Sequence, residues 1–598
     1  MPRWLIPLGA AAFLLACIAI FASIGAPHDP WTGLSTVIYL LLRAGAPALA
    51  YLAAAAGLGR VFLPLFRASR EAPALQAGLG LALMLWLSHL LGVLGLFAGS
   101  LAIPAAGGAV AVGLAMLGHQ LLRSRSAEQR APIAMTSPVW LLGIPALALL
   151  LVAACQPPGW LWDSEAGGYD ALSYHLQLPQ EWLAQGRLWP NTHNVFSFLP
   201  SYVEAAFMHL GGLSGGAARA TPRGLLAGEG LGVISCQLLS AGIALIAVGL
   251  IARLAAAACR RAGRDSTLAA ASAGLLMLCT PWTIVVGSLA YNDLAVVALI
   301  AAALLAALDD SLPPTSRGVL SGLLIGAACG CKPTALLFGA PPVGLALLAT
   351  TPARRWAGPI LAGSIAGVAM LAPWLIRNWA AAGNPVFPEA TGLFGSAHWS
   401  ADQLRRYADA VTFHGSWSDR IRLGFVADSS DPMGPRHRGL LHPQWLAFFG
   451  AALAAAIAAL LPQRTRRTGA ILSAGLLLQL AAWLAFTHIQ SRFLLPLAAP
   501  ACALLGLAIA GPEQSGNAPR RRTIIAPPTA VAMVICLVQT VGSILDFWGQ
   551  RSGHPNDMLV AGPGLRTGEP FRPELAPLPP EQRPPPPPGA PARPAPRP

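Results

Sequence analysis

Residues 230–251 read GLGVISCQLLSAGIALIAVGLI, an unbroken apolar run with no Asp, Glu, Lys or Arg. A helix needs about 20 such residues to cross the hydrocarbon core of a bilayer, where every backbone polar group must be satisfied within the segment. The run therefore predicts a transmembrane helix, and Arg260, Arg261 and Arg264 just beyond it mark a cytoplasmic end. Comparable stretches cover 4–24, 34–58, 75–97, 101–121, 139–154, 268–289, 294–308, 319–329, 336–348, 360–376, 445–461, 471–486, 493–510 and 524–545. Together they predict an all-α polytopic membrane protein, a bundle of about 15 spans.

Composition agrees. Of 598 residues 55% are hydrophobic and 11% charged, against roughly 25% charged in a typical soluble domain. The net charge of +14 does not point to nucleic acid, because the arginines sit in short clusters between apolar stretches and no basic stripe with aromatics is present. The nine cysteines form no CxxC pair and lie almost entirely inside apolar stretches, as small hydrophobes. The first stretch follows Arg3 like a signal peptide but lacks a small-residue cleavage site, so it reads as a retained helix.

Arginines collect at Arg60, Arg67 and Arg70; Arg123, Arg125 and Arg130; Arg260, Arg261 and Arg264; Arg354 and Arg355; Arg464, Arg466 and Arg467; and Arg520, Arg521 and Arg522. A cytoplasmic N-terminus places every cluster inside. Residues 317–350 read as two short spans with a turn at 330–333, since Arg317 at one end and Arg354 and Arg355 at the other both belong in the cytoplasm. Lys332 then reaches the outer face. Arg43 falls within the stretch 34–58, where it must be paired or snorkel.

This reading divides the chain into an N-terminal membrane segment of four helices (1–137) and a membrane core (138–510) with outer loops at 156–228 and 377–443. A cytoplasmic loop and last helix follow (511–546), and then a Pro-rich outer tail (547–598) whose composition suits a disordered, polyproline-type extension.

The first outer loop contains WDSEAGGYDALSYHLQLPQEWLAQGRLWPNTHNVFSFLPSYVEAAFMHL, with amphipathic runs at 170–183 and 200–210 of a length suited to the membrane interface. Spacing i to i+4 puts Asp170 and Tyr174 on one helix face, with His175 beside them. Asp170 also suits a plain N-terminal capping position.

From here the sequence resembles the GT-C superfamily of membrane glycosyltransferases, especially the group of protein O-mannosyltransferases and lipid A aminoarabinose transferases. Those enzymes carry a D-x-x-x-Y motif in the first large outer loop; the matching residues are Asp170 and Tyr174, followed by Gly186-Arg187, Pro190 and Phe198-Leu199-Pro200. The similarity continues in order through YND at Tyr291 to Asp293, GCKPTALL from Gly330, PWLIRNW from Pro373, GNPVFP from Gly383 and QSRFLLPLAAP from Gln490. It covers roughly 139–510, leaving the first four helices as an addition. Ala171 stands where close relatives of the two enzymes often have Glu.

The resemblance implies attack by an acceptor hydroxyl, on protein, lipid or glycan, at the anomeric carbon of a sugar carried on polyprenyl phosphate. Asp170 would serve as base, and desolvation at the interface would raise its pKa usefully. Asp293 would line the site as a second acidic residue, though a first-turn carboxylate also suits the helix dipole. Lys332, the single lysine among 39 basic residues, would be a compact phosphate-binding charge or would snorkel to headgroups. Arg377 and Arg492 lie on the face where orientation disfavours positive charge, which favours a phosphate-binding role over a topological one. His175 would contact sugar hydroxyls, and Tyr174 would line the substrate. The outer histidines His193, His398, His414, His437, His442 and His488 show no HxxxH or HExxH spacing, so no metal is indicated. Gly78 to Gly80 lies in an apolar stretch with no strand before it, which argues against nucleotide binding.

The expected function is thus an inverting glycosyltransferase of the cell inner membrane, acting on the periplasmic side with a lipid-linked sugar donor and no certain cofactor. The rival is a transporter or flippase of lipid-linked sugars, which calls for internal repeats that the sequence does not show.

Overall fold

The computed structural model describes residues 5–24, 29–123, 137–158, 161–162, 165, 168–215, 231–425, 445–460, 462–511 and 527–551. The Pro-rich stretch beyond Arg551, His437, His442 and the arginines at 125, 130 and 520–522 lie outside them. Everything described is helix, turn or loop. The N-terminal helices are α1 (Leu5–Ser23), α2 (Pro30–Arg43), α3 (Gly45–Leu58), α4 (Leu63–Phe66), α5 (Ala72–Val93) and α6 (Ala102–Arg123). Next come α7 (Ile144–Ala154), α8 (Gln177–Ala184), α9 (Tyr202–Leu213), α10 (Leu231–Arg261), α11 (Thr267–Cys279), α12 (Pro281–Ser288) and α13 (Asp293–Leu308). The chain continues through α14 (Pro314–Cys331), α15 (Ala335–Ala349), α16 (Ala357–Ala382), α17 (Thr391–Phe394), α18 (Ala401–Val411) and α19 (Trp417–Phe425). It closes with α20 (Leu446–Ala459), α21 (Gln463–Phe486), α22 (Ala498–Ile509) and α23 (Pro527–Arg551).

Among the described residues nine helices are long and apolar enough to cross a membrane, ten if α11 and α12, bent by 60° between Cys279 and Pro281, form one span. Three further apolar helices are shorter: 138–154, α13 and α15. The chain is a multi-pass membrane protein, and the larger count expected from the sequence includes these shorter and broken segments. The stretch 34–58 is one such case: it breaks at Ala44 into α2 and α3, so Arg43 ends a helix and is exposed there rather than lying within a span. The stretch 268–289 breaks where Pro281 enters, since its ring cannot continue the hydrogen-bond ladder of α11.

Ion pairs gather one set of helix ends. Glu71, before α5, accepts from Arg253 (2.8 Å) and Arg260 of α10. Arg261 pairs with Asp310 after α13. Arg317 of α14 donates to Thr350 after α15 (2.8 Å), Arg467 of α21 to the carbonyl of Ala349 (2.8 Å), and Arg264 to that of Ala510 after α22 (2.8 Å). Among the described residues the arginines at 253–264, 317 and 467 thus meet at one end of the bundle. α14 and α15 form a hairpin whose open end is closed by Arg317 and whose turn carries Lys332, as its flanking arginines require.

Three helix pairs approach at backbone distance, α3 and α5 among them, where Gly80 faces the carbonyl of Ala55. A side chain at Gly318, Gly322 or Gly326 of α14 would collide with the carbonyl of Pro359, Gly363 or Gly367 of α16, and Gly57 of α3 similarly faces Gly113 of α6. Small residues let helices touch where lipid offers no hydrophobic gain from association.

The segment 200–210, expected at the membrane interface, is instead buried on every side. From Tyr202 to Gly212 each residue of α9 is buried, because α5, α6 and α8, together with α3, α10 and α14, pack around it. A polar chain runs through this contact: Tyr51 of α3 and His209 of α9 both bond the hydroxyl of Ser88 in α5 (2.9 Å each), and the other ring nitrogen of His209 meets the carbonyl of Ala106 in α6 (3.0 Å). The N-terminal addition therefore supports the loop that carries Asp170.

Candidate active site

At the opposite end of the bundle, side chains from five distant segments meet. Asp170 precedes a single turn, Ala171–His175, closed by a hydrogen bond from Leu176 N–H to Ala171 C=O (2.9 Å), the i to i+5 spacing of a π-type turn. Such turns recur at functional sites because they re-aim side chains. The Asp170 carboxylate caps no helix N–H. It pairs instead with the guanidinium of Arg492 in the segment Ser491–Leu497, before α22. The same guanidinium pairs with Glu165, which also accepts from the Tyr291 hydroxyl (3.1 Å). Trp282 holds this segment in place by donating to the Ser491 hydroxyl (3.1 Å).

Asp293, the first residue of α13, accepts from Lys332 at the C-terminal end of α14 (2.7 Å). Lys332 is only 13% exposed, so its ammonium is turned inward and does not snorkel. The Phe493 ring lies between the two cations, 4.5 Å from the Lys332 nitrogen and 5.6 Å from the Arg492 guanidinium carbon. Asp170, Asp293, Lys332 and Arg492 therefore form one cluster.

His175 joins it from the π-type turn. Its Nδ1 lies 2.6 Å from Glu204 Oε1, and the two side chains are 1% and 2% exposed. Asn292 donates to both Glu204 (3.3 Å) and the carbonyl of Cys331 (2.9 Å), tying together the residues that precede Asp293 and Lys332. Tyr174 lies against His175, with ring centroids 4.0 Å apart, and stacks on Phe196 at 4.3 Å.

Arg377 stands apart. It donates to the Ser201 hydroxyl (3.2 Å), to the carbonyls of Phe198 and Leu199 (3.2 Å each) and to the side-chain oxygen of Asn378 (2.9 Å). Asn378 and Trp374 also donate to the Phe198 carbonyl (2.7 and 2.8 Å). The motifs PWLIRNW and FLP thus clamp one another, with Arg377 bound to protein acceptors and holding the entry to α9.

The electrostatics divide the two carboxylates on Arg492. Burial alone would raise Asp170, but the Arg492 guanidinium and the neighbouring His175 and Lys332 overcome it and hold the carboxyl down at about 2. For Glu165, burial outweighs the same guanidinium, and repulsion by Asp170 and Asp293 adds to it, so its carboxyl is pushed up. Burial raises the Tyr174 phenol well above its ordinary value, keeping it a neutral donor. Five buried polar atoms of these residues have no protein partner: His175 Nε2, Glu204 Oε2, Asn292 Oδ1, Asp293 Oδ2 and Arg492 Nε. Buried polar atoms are normally paired, so their concentration at one place points to groups that receive a ligand or water. Among the described residues no three His, Cys, Asp or Glu side chains are placed to hold a metal ion.

Glu165 and Glu204 were not singled out from the sequence. Glu204 had a readable signal: a lone carboxylate in the apolar run YVEAAFMHL is costly without a partner. Glu165 lies in the same polar loop as Asp170, where an extra carboxylate is unremarkable.

Fold and site together define a multi-pass, all-helical membrane protein with a buried cluster of two cations and several carboxylates at one end. Among solved structures the chain is similar to ArnT from Cupriavidus metallidurans. In the apo state the identity is 15% and the TM-score 0.44, over 72% of this chain and 78% of that one. A second structure of the same protein, bound to undecaprenyl phosphate, matches at 15% identity and a TM-score of 0.43, over 71% and 77%. No family model matches the sequence, and no curated protein matches it.

Proposed function

We propose that this chain is a glycosyltransferase that moves a sugar from a polyprenyl phosphate to an acceptor hydroxyl, by inversion, on the periplasmic side of the inner membrane. The observation that carries the reading is the convergence of Asp170, Asp293, Lys332 and Arg492, from segments far apart in sequence, at the end of the bundle opposite the basic clusters. The ordered motifs around these residues support it independently. With the arginine-rich end cytoplasmic, as charge bias requires, the cluster faces outward.

Lys332 and Arg492 would hold the phosphate, whose charge and acceptor oxygens suit a paired ammonium and guanidinium. The acceptor oxygen bonds to the anomeric carbon as the bond from that carbon to the phosphate oxygen breaks, and polyprenyl phosphate leaves with the electron pair. Asp170 would take the hydroxyl proton. As the phosphate draws on Arg492, the ion pair that holds Asp170 down weakens, and burial then raises its carboxyl toward a useful base. Asp293 would orient Lys332. Tyr174 and His175 would line the sugar, and Arg377 would act indirectly by fixing residues 198–201.

The full-length protein in proteoliposomes should bind undecaprenyl phosphate, and Lys332→Ala or Arg492→Ala should weaken that binding by at least about tenfold, the scale of one lost charge-assisted contact. Asp170→Asn should abolish transfer from lipids extracted from the native membrane while leaving folded, inserted protein. Wild-type transfer rates in Asp170→Asn would remove the base assignment, and unchanged lipid affinity in both cation variants would remove the phosphate site.

A further inference from the structure

We propose that Glu204 is a positioning residue for the transfer reaction, holding His175 with Nδ1–H turned inward and Nε2 free to keep the proton that leaves the acceptor hydroxyl. The inference rests on the glycosyltransferase reading and deepens it.

The geometry is specific. A carboxylate only accepts hydrogen bonds, so at 2.6 Å from Glu204 Oε1 the Nδ1 of His175 must be the donor. In the neutral ring Nε2 then carries the lone pair, and no protein group meets it. Glu204 is itself held by Asn292, which is anchored on the Cys331 carbonyl. The orientation of His175 is therefore fixed from the two turns that bear Asp293 and Lys332. Facing the ring are Asp170 and Tyr174 of its own segment, Tyr291 from the turn before α13 and Asp293 at the start of that helix. Lys332 pairs with Asp293 and Arg492 with Asp170, so neither of these carboxylates is the group that keeps the proton. Glu204 is the carboxylate bonded directly to the ring.

A base needs a place for its proton. Asp170 sits on a guanidinium and gives a proton up readily once the phosphate departs. His175 can hold it, with the imidazolium charge balanced by Glu204. The hydroxyl proton goes to Asp170 as the new bond to carbon forms, then to Nε2, and finally to solvent, with no oxidant or co-reactant required. A buried carboxylate that bonds one ring nitrogen is the usual means of fixing which nitrogen acts.

The test uses the full-length protein labelled with 15N-histidine in lipid nanodiscs, with the His175 signal assigned by its loss in His175→Gln. At neutral pH the expected signature is a protonated Nδ1 and an unprotonated Nε2. In Glu204→Gln the amide can donate to Nδ1 as well as accept from it, so the single signature of a protonated Nδ1 should give way to a mixture of the two ring tautomers. Transfer from the native lipid extract should fall by about tenfold or more in Glu204→Gln, a loss within the range of general-base effects. Protonated Nε2 in the wild type, or a nitrogen signature unchanged in Glu204→Gln, overturns the proposal. If the wild type transfers nothing from the extract, the glycosyltransferase reading fails while the nitrogen signature still decides the role of Glu204.

Discussion

At the scale of single residues, Asp170 shows how one contact sets a group's behaviour. Its carboxyl would rise through burial and is held at about 2 by Arg492. Because the folded value lies below the unfolded value of about 3.9, the pair contributes stability that is complete above that range and is lost as pH falls toward 2. The difference in melting temperature between wild type and Asp170→Asn should therefore be constant near neutrality and shrink between about pH 4 and pH 2. A difference that grows on acidification would contradict the ion pair. Residue identity was legible here, since Asp170, Asp293, Lys332 and Arg492 all stand out in the sequence. Their pairing was not: Asp170 and Arg492 are 322 positions apart, and no local pattern says which carboxylate a given cation will meet. Capping and snorkelling were equally sound local readings of Asp170 and Lys332 until tertiary packing supplied other partners.

At the scale of elements, α14 and α16 meet through glycines spaced four apart, Gly318, Gly322 and Gly326, against the carbonyls of Pro359, Gly363 and Gly367. A Cβ at Gly322 would lie 2.0 Å from the Gly363 carbonyl oxygen, and neither backbone can turn aside as a side chain would. Gly322→Val should cost about 1–3 kcal/mol, the usual range for overpacking, and should lower the melting temperature of detergent-purified protein. It should also loosen the far end of α16, where Arg377 and Asn378 hold the loop before α9. A melting temperature equal to wild type would show that the helices part easily. Span boundaries were largely legible because length and apolarity are local properties. The breaks at Ala44 and Pro281 and the burial of α9 were not, because they depend on which helices lie alongside.

At the scale of the whole molecule, the N-terminal helices stand behind the candidate site, one element removed from it. They cover α9, which carries Glu204, and are fastened at the opposite end by Glu71, 4% exposed and bound to two arginines of α10. Glu71→Gln removes the charge from both contacts and should cost about 2 kcal/mol, the scale of a charge-assisted hydrogen bond. Limited proteolysis between the N-terminal helices and the rest should then become faster, and unchanged cleavage would mean that packing alone joins the two parts. The sequence marked these helices as an addition, and only their contacts tie them to the loop that bears Asp170.

The pairing of Asp170 with Arg492 also sets a clock on assembly. A ribosome adding 5–20 residues per second takes roughly 16–64 s to travel from one to the other. Throughout that interval the growing chain carries a carboxylate whose partner has not been made. The cluster is therefore completed only once residue 492 has been made, and a chain stopped short of it leaves both Asp170 and Glu165 without their guanidinium.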